Sequence, residues 1–357
     1  MSNGTSKETG NEAGPVKKTF DASQKALKQT IEAVPGTVQQ VQKAIPQPHF
    51  PEAVGYAFLG AYAILIFAAV FVWLRKCLRP ERDYSELKLR IKTWWIIVVL
   101  TTFALGFNTY FSIFCLAFLS FLAFKEFLSL VPTRRADHRV LLWAYLAIPV
   151  QYILVGAEWY GVFIIFIPVY WFLFMPMRMV LVGETQGFLS AAGTLQWGLM
   201  TCVFSLSHMA YLLVLPAAGN PNGGGVALLF YLVFLTQFND VAQYVWGKLF
   251  GSTKVAPTVS PNKTLEGLIG GVLTTTLLAL TLAPWLTPLS HLHALAMGVL
   301  IGFGGFIGDV TISAIKRDLG IKDSGSLLPG HGGILDRIDS LTFTAPVFFH
   351  VVYFLYY

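Results

Sequence analysis

Residues 53–74 read AVGYAFLGAYAILIFAAVFVWL, an apolar run without a single charged residue. A helix needs roughly 20 such residues to cross about 30 Å of hydrocarbon, so this run predicts a membrane-spanning helix. Similar runs follow at intervals to the end of the chain. The predicted spans are 53–74, 93–108, 110–130, 141–156, 159–176, 193–215, 226–249, 267–288, 292–317 and 339–356.

The overall composition is typical of a polytopic membrane protein. Of the 357 residues, 55% are hydrophobic and only 12% are charged, whereas soluble domains carry about 25% charged residues. We therefore expect an all-α, polytopic integral membrane bundle of about ten transmembrane helices at 51–357. Residues 1–50 are polar and lack the apolar core of a signal peptide. They predict a tail, either with a short interfacial helix or as a disordered extension.

The basic residues, which give a net charge of +6, stand in short clusters between apolar runs. This pattern indicates topology signals and contact with anionic lipid headgroups rather than a nucleic-acid groove. The connection at 75–92 is rich in Lys and Arg and should face the cytoplasm. Alternation of the spans then puts the connections near 177–192, 250–266 and 318–338 on the same side. The three cysteines have no CxxC spacing, so they predict neither a disulfide framework nor a zinc site.

The most polar part of the carboxyl-terminal half joins the last two spans. An ionised side chain near the bilayer centre costs roughly 2.5–3.5 kcal/mol, so Asp309, which follows a long apolar run, needs a partner, an interface or a cation. Asp309, Ser313 and Lys316 fall on one helical face. Asp336 and Asp339 stand at the start of the last span. Two carboxylate-bearing helix ends joined by a loop can close around Mg²⁺, which takes oxygen ligands.

A glycine-rich turn lies between these two acidic helix ends. Gly332 and Gly333 follow His331, and glycines let backbone amides approach a phosphate closely because they have no Cβ. We expect His331 to donate to a phosphate or to the loop backbone rather than to bind a metal, since no second histidine has suitable spacing. The alternative is a solvated loop with incidental salt bridges. The cations available to neutralise phosphoryl oxygens are Lys316, Arg317, Lys322 and Arg337.

A second polar segment lies in the seventh span. Asp240, Gln243, Tyr244, Gly247 and Lys248 recur at helical spacings, which predicts a polar stripe facing the bundle interior.

Residues 260–267, SPNKTLEG, are typical of a loop that opens the eighth span. Free amides and the positive dipole end of a helix favour an anion there, and Lys263 adds a full charge. An ordinary capped helix start, with Thr264 or Ser260 as the cap, is the alternative.

Two motifs in this half of the chain resemble those of a known family. The first reads Ser313-x-x-Lys316-Arg317-x(4)-Lys322-Asp323-x(5)-Pro329-Gly330-His331-Gly332-Gly333-x(2)-Asp336-Arg337-x-Asp339. It is long and specific, and it is similar to the hallmark of the phosphatidate cytidylyltransferases, also called CDP-diacylglycerol synthases. The second reads Ser260-Pro261-x-Lys263-Thr264-x-Glu266-Gly267, with Asp240 and Gly247-Lys248-x-Phe250-Gly251 upstream. The resemblance covers at least residues 239–340 and extends, by the run of spans, over 93–357.

The resemblance implies that the phosphate of phosphatidic acid attacks the α-phosphorus of CTP and releases pyrophosphate, with the catalytic half at 226–357. It implies Mg²⁺, and optionally a second, monovalent cation, held by Asp309, Asp336 and Asp339. Whether Asp240 is a metal ligand or only supports one stays open. The implied catalytic residues are Asp309, Lys316, Asp336 and Asp339. The implied substrate-binding residues are Asp240, Ser260, Lys263, Thr264, Glu266, Ser313, Arg317, Lys322, Asp323, His331, Gly332, Gly333 and Arg337.

The expected partners are CTP, phosphatidic acid and membrane lipids, with a homodimer as an option and no nucleic acid. The expected location is a bacterial inner membrane, with the active site on the cytoplasmic face. A CTP-using lipid kinase, a cytidylyltransferase acting on another lipid phosphate, a transporter and a non-catalytic scaffold stay open as alternatives, although the sequence shows no inverted repeat of the transporter kind. Glu126, at the end of the third span, is either an interfacial anchor or a cavity-lining residue, and its position favours the anchor.

Overall fold

The computed structural model of the chain describes residues 51–81, 83–132, 138–325 and 332–357. Within these ranges, ten helices are long and apolar enough to cross a membrane. The predicted all-α polytopic bundle is therefore confirmed. The predicted tail at 1–50 lies outside the described residues.

The ten helices follow one another with short connections. Their bounds are α1 Glu52–Leu78, α2 Ser85–Gly106, α3 Thr109–Leu130, α4 His138–Gly156, α5 Tyr160–Val180, α6 Phe188–Leu212, α7 Gly224–Phe250, α8 Leu265–Leu286, α9 His291–Asp318 and α10 Leu335–Tyr356. α10 consists of a short helix, Leu335–Ile338, and a long one, Leu341–Tyr356. Consecutive spans alternate in direction, so the end of α3, the α7–α8 connection and the α9–α10 connection share one end of the bundle.

The connection between the first two spans is shorter than predicted. The sequence predicts a loop over 75–92, but α1 continues to Leu78 and α2 already begins at Ser85. Charged residues extend helices beyond the apolar core where water can solvate them, and they stabilise each other one turn apart. Arg90 and Glu86 form such a pair, with 2.6 Å between Nη2 and Oε1.

The core of the described bundle is built on α7. In the most apolar 18-residue stretch of α7, 67% of the residues are buried, against 11% in that of α2. Tyr231 of α7 is fully buried, and its hydroxyl donates to the carbonyl of Ala279 in α8. Glycines let the next helices come close, since packing in a membrane depends on van der Waals contact. A Cβ at Gly298 of α9 would lie 2.5 Å from Cα of Thr276 in α8, and one at Gly302 would lie 3.0 Å from Cα of Val272.

A small hairpin connects α7 to α8 and corrects the prediction of a simple loop at 260–267. Strand β1, Lys254–Ala256, pairs antiparallel with β2, Ser260–Thr264, in the register Lys254↔Thr264 and Ala256↔Ser260. The predicted cap is confirmed for Thr264, whose hydroxyl accepts from the N–H of Gly267 at the start of α8. The pairing gives the backbone polar groups of this segment partners, which a loop at the bundle mouth would lack.

Candidate active site

Lys263, in β2, reaches into the bundle and pairs with Asp309 of α9. The distance between Nζ and Oδ2 is 2.6 Å, and both side chains are about four-fifths buried, at 19% and 21% exposure. Lys263 also donates to Oε1 of Gln243 at 3.2 Å, and the hydroxyl of Ser313 donates to the other oxygen of Asp309. Burial lowers the pKa of the Lys263 ammonium, but Asp309 and Asp240 raise that pKa above its ordinary value, so the group is held in its charged form.

Three carboxylates meet around this lysine. Asp240 lies in α7, Asp309 in α9 and Asp339 in the break of α10, and the charges of Asp240 and Asp309 both act on Asp339. The hydroxyl of Ser340 donates to both oxygens of Asp240, at 3.1 and 3.0 Å. α9 can approach the break because Gly308 has no side chain: a Cβ there would lie 2.5 Å from the carbonyl oxygen of Asp339. Like charges gathered in this way need nearby positive charge, which Lys263, Arg337 and Lys316 supply within the described residues.

Lys316 and Asp336 form a second ion pair in the same segment. Nζ of Lys316 lies 2.7 Å from Oδ1 of Asp336, and each residue is only 8% exposed. Oδ2 of Asp336 accepts the backbone N–H groups of Ser324 and Gly333, at 3.0 and 2.9 Å. Gly332 has a φ of +78°, and a Cβ there would collide with the same carboxylate oxygen. Asp336 therefore holds the glycine turn that the sequence predicts to approach phosphate.

Two arginines of the first motif, 313–339, have different surroundings. Arg337 is half-buried beside the charge of Asp240, and among the described residues its Nε atom is buried without a hydrogen-bond acceptor. A buried guanidinium donor without a partner fits an anionic ligand. Arg317 is exposed and donates to the carbonyls of Val259 and Ile321, at 3.1 and 3.0 Å. It ties the hairpin to the end of α9.

The other predicted site residues divide between structural and exposed positions. The Glu266 carboxylate accepts the N–H groups of Ser252 and Thr253 and the hydroxyl of Ser252, so it fastens the chain before β1. Thr264 is buried as the cap of α8. The remaining positions are Ser260, half-buried in β2, Lys322 and Asp323, exposed beyond α9, and His331, which lies outside the described residues.

The polar stripe predicted on α7 is only partly correct. Gln243 is 4% exposed and faces the bundle, whereas Tyr244 is 58% exposed. Lys248 is exposed as well and lies over the Tyr244 ring, 5.7 Å from its centroid. Consecutive helical residues point about 100° apart, so two residues of the five turn away from the interior.

Glu126, near the end of α3, contacts the first motif, 313–339, directly. Its Oε2 accepts the N–H of Ile334 at 2.8 Å, and its Oε1 accepts the N–H of Leu335 at 3.0 Å and the hydroxyl of Ser324. The prediction of an interfacial anchor is therefore wrong. No local pattern reveals this role, because the partners lie far along the chain.

The acidic cluster fits a hard cation that is shared with substrate. Within the described ranges, no three His, Cys, Asp or Glu side chains are grouped as a complete metal-binding set. Mg²⁺ does not require one, because it usually takes one or two carboxylates and completes its shell with water and phosphate oxygens. Asp309 and Asp339 supply oxygen donors of this kind, and their oxygens contact Lys263, Ser313 and the N–H of Ser340. The Asp336 carboxylate instead accepts from Lys316 and from the backbone around the glycine turn. The chemistry of the donor set thus suits a magnesium-bound triphosphate.

A sequence profile of the cytidylyltransferase family matches residues 88–355, which include every element of this site. The chain belongs to the cytidylyltransferase family. Family membership supports a nucleotidyltransferase activity that uses a nucleotide and a lipid at the membrane.

Relatives of the chain agree with the family assignment. It is 47% identical over 296 residues to the uncharacterized protein YnbB of Escherichia coli (strain K12), covering 83% of this chain and 97% of that protein. It is 37% identical over 124 residues to the phosphatidate cytidylyltransferase of Staphylococcus epidermidis and 45% identical over 118 residues to that of Synechocystis. These two matches cover 34% and 32% of this chain, and they span only 48% and 40% of the two enzymes.

Proposed function

We propose that the protein transfers the cytidylyl group of CTP to phosphatidic acid, giving CDP-diacylglycerol and pyrophosphate. The observation that carries the proposal is the ion pair of Lys263 and Asp309 beside Asp240 and Asp339, at one end of a membrane bundle. A charged lysine and an acidic cluster suit a triphosphate with its cation, and the bundle supplies access for a lipid. The names of the two partial-length relatives favour phosphatidic acid as the acceptor.

In this reaction the main task of the protein is to position charged groups. A phosphate oxygen of phosphatidic acid attacks the α-phosphorus of CTP, and the bond from that phosphorus to the oxygen bridging to the β-phosphorus breaks. The phosphate nucleophile is already ionised at neutral pH, so no strong general base is needed. Lys263 and Arg337 are the cations that neutralise phosphoryl oxygens in this proposal, and the glycine turn held by Asp336 offers backbone amides.

The proposal includes Mg²⁺ held by Asp309 and Asp339. When bound, Mg²⁺ would neutralise triphosphate charge and favour departure of pyrophosphate. In this proposal Asp336 is not a ligand: it accepts from Lys316 and from the backbone N–H groups of Ser324 and Gly333, and it keeps the chain around the glycine turn in place. Asp240 accepts the Ser340 hydroxyl with both oxygens, and we propose that it supports the metal site electrostatically.

A direct assay tests the function. Purified protein in detergent is given CTP labelled in the α-phosphate, Mg²⁺ and phosphatidic acid, and the products are separated. The expected products are labelled CDP-lipid and pyrophosphate in equal amounts. Labelled CDP without CDP-lipid would show a CTP-dependent kinase instead. CDP-lipid formation only with a different lipid phosphate would retain the family chemistry and overturn the choice of phosphatidic acid.

The active site is proposed to face the cytoplasm of a bacterial inner membrane, since the basic connection between α1 and α2 lies at the same end of the bundle. A cysteine introduced at exposed Lys322 tests this side. It should react with a membrane-impermeant maleimide in inverted vesicles and not in intact cells.

A further inference from the structure

Glu126, in the first half of the chain, is an acidic residue that contacts the first motif, 313–339. It lies on α3, and its three acceptor contacts go to Ser324, Ile334 and Leu335. Ser324 comes before the glycine turn, whereas Ile334 and Leu335 come after it. A single carboxylate therefore holds the chain on both sides of the turn.

Glycines beside Glu126 leave room for its carboxylate next to the chain. A Cβ at Gly333 would collide with Oε1 of Glu126, and one at Gly325 would lie 3.3 Å from Oε2. Ser324 is 3% exposed, and Ile334 and Leu335 are 7% and 1% exposed. Hydrogen bonds from buried donors to an ionised acceptor are stronger than bonds between neutral groups, so they hold the segment more firmly.

Glu126 and Asp336 accept hydrogen bonds from the same residue and from consecutive residues. Ser324 gives its hydroxyl to Glu126 and its backbone N–H to Asp336. Gly333, whose N–H goes to Asp336, immediately precedes Ile334, whose N–H goes to Glu126. The two carboxylates thus bind the same two stretches of chain, at Ser324 and at residues 333–335. Displacing the Glu126 contacts would release the start of α10, which carries Asp336 and Asp339.

We infer that Glu126 is a positioning residue for the transfer reaction: it fixes the start of α10 so that Asp336 and Asp339 keep their places in the site. In this role it acts through the backbone of residues 334 and 335. The expected effect of Glu126 on kcat rests on the proposed function. Its expected effect on the order of the segment does not.

The experiment uses the full chain in detergent and compares Glu126→Gln with the matched control Glu86→Gln, an exposed glutamate of α2. Glutamine keeps the size of the side chain but turns an N–H₂ group toward backbone donors. Hydrogen exchange of peptides covering 332–341 should quicken at least about tenfold in Glu126→Gln. Its kcat should fall at least tenfold, with KM for CTP changed less than threefold and the unfolding temperature within a few degrees. Glu126→Asp should recover part of kcat, and Glu86→Gln should match the wild type.

Ser324→Ala removes one of the three contacts and serves if Glu126→Gln does not fold. It should quicken exchange in the same peptides and leave the peptides of α7 unchanged. Unchanged exchange at 332–341 in either folded variant, or a kcat equal to the wild type, would overturn the role of Glu126. If the wild type makes no CDP-lipid, the proposed function fails, while the exchange measurement still decides whether Glu126 holds the segment.

Discussion

Nζ of Lys263 lies 2.6 Å from Oδ2 of Asp309, which joins the hairpin after α7 to the interior of α9. The contact brings together two segments that the sequence separates by more than forty residues. In the proposed function, a triphosphate would meet both a cation and a carboxylate at this place. The side chains depend on each other, because either one alone would leave a largely buried charge without its partner.

Lys263→Met should abolish the transfer reaction. The variant loses the cation that faces Asp309, and removal of such a group from a charged site typically costs about 10²–10³ in rate. CDP-lipid formation from labelled CTP is the measurement. Lys248→Met is the matched control, since Lys248 is exposed near the end of α7. A folded Lys263→Met protein with activity within tenfold of the wild type would remove Lys263 from the proposed site.

The pair of Lys316 and Asp336 should show strong coupling in stability. Removing one partner of a buried ion pair costs about 3–5 kcal/mol because the other charge stays buried. Lys316→Met should therefore lower the unfolding temperature in detergent sharply, and the double variant Lys316→Met, Asp336→Asn should recover part of that loss. Both variants should be inactive. Additive losses in the double variant would contradict a direct pair.

Gly332→Ala should cost much more activity than Gly320→Ala. Both glycines have positive φ, +78° and +71°, so alanine is strained at either position. Only at Gly332 does a Cβ also meet the Asp336 carboxylate, since nothing lies within 4 Å at Gly320. Steady-state kinetics of the two variants provide the comparison. Equal losses would mean that backbone strain, and not the Asp336 contact, decides the effect.

Chelation of Mg²⁺ should stop turnover, and Mg²⁺ should restore it. Asp309→Asn and Asp339→Asn should stay inactive at any Mg²⁺ concentration, because each removes a proposed ligand charge. Asp240→Asn should retain more activity than either, with a higher half-saturating Mg²⁺ concentration, since in the proposal Asp240 supports the metal site through its charge and does not bind the ion. Mg²⁺ titration of the three variants is the measurement. An inactive Asp240→Asn with Asp309→Asn close to the wild type would reverse these assignments.

The fold could be predicted from the sequence because hydropathy alone sets the length of each span. All ten predicted runs correspond to helices of the described bundle. The errors lie at the ends, as at 75–92, where charged residues continue a helix beyond the apolar region. The hairpin at 254–264 was missed because its strands are only three and five residues long and carry no alternating apolar pattern.

Local periodicity explains which parts of the site could be predicted. Asp309 and Ser313 are one turn apart on α9 and are in hydrogen-bond contact, as their spacing indicates. Tyr244 was misplaced because one more residue along a helix turns the side chain away from the interior. The contacts of Glu126 and Lys263 join distant parts of the chain, and no periodic pattern carries that information.

Gly271, Gly298 and Gly302 each let one helix pack directly against another, so α7, α8 and α9 form a closely packed group. If the proposed lipid acceptor binds beside Lys263, we expect it to approach at this end of the bundle without separating these helices. We then expect headgroup preference to depend on exposed side chains near the α7–α8 hairpin. Engineering a different lipid preference should begin with exposed side chains of the hairpin at 254–264 and should leave Gly271, Gly298 and Gly302 unchanged.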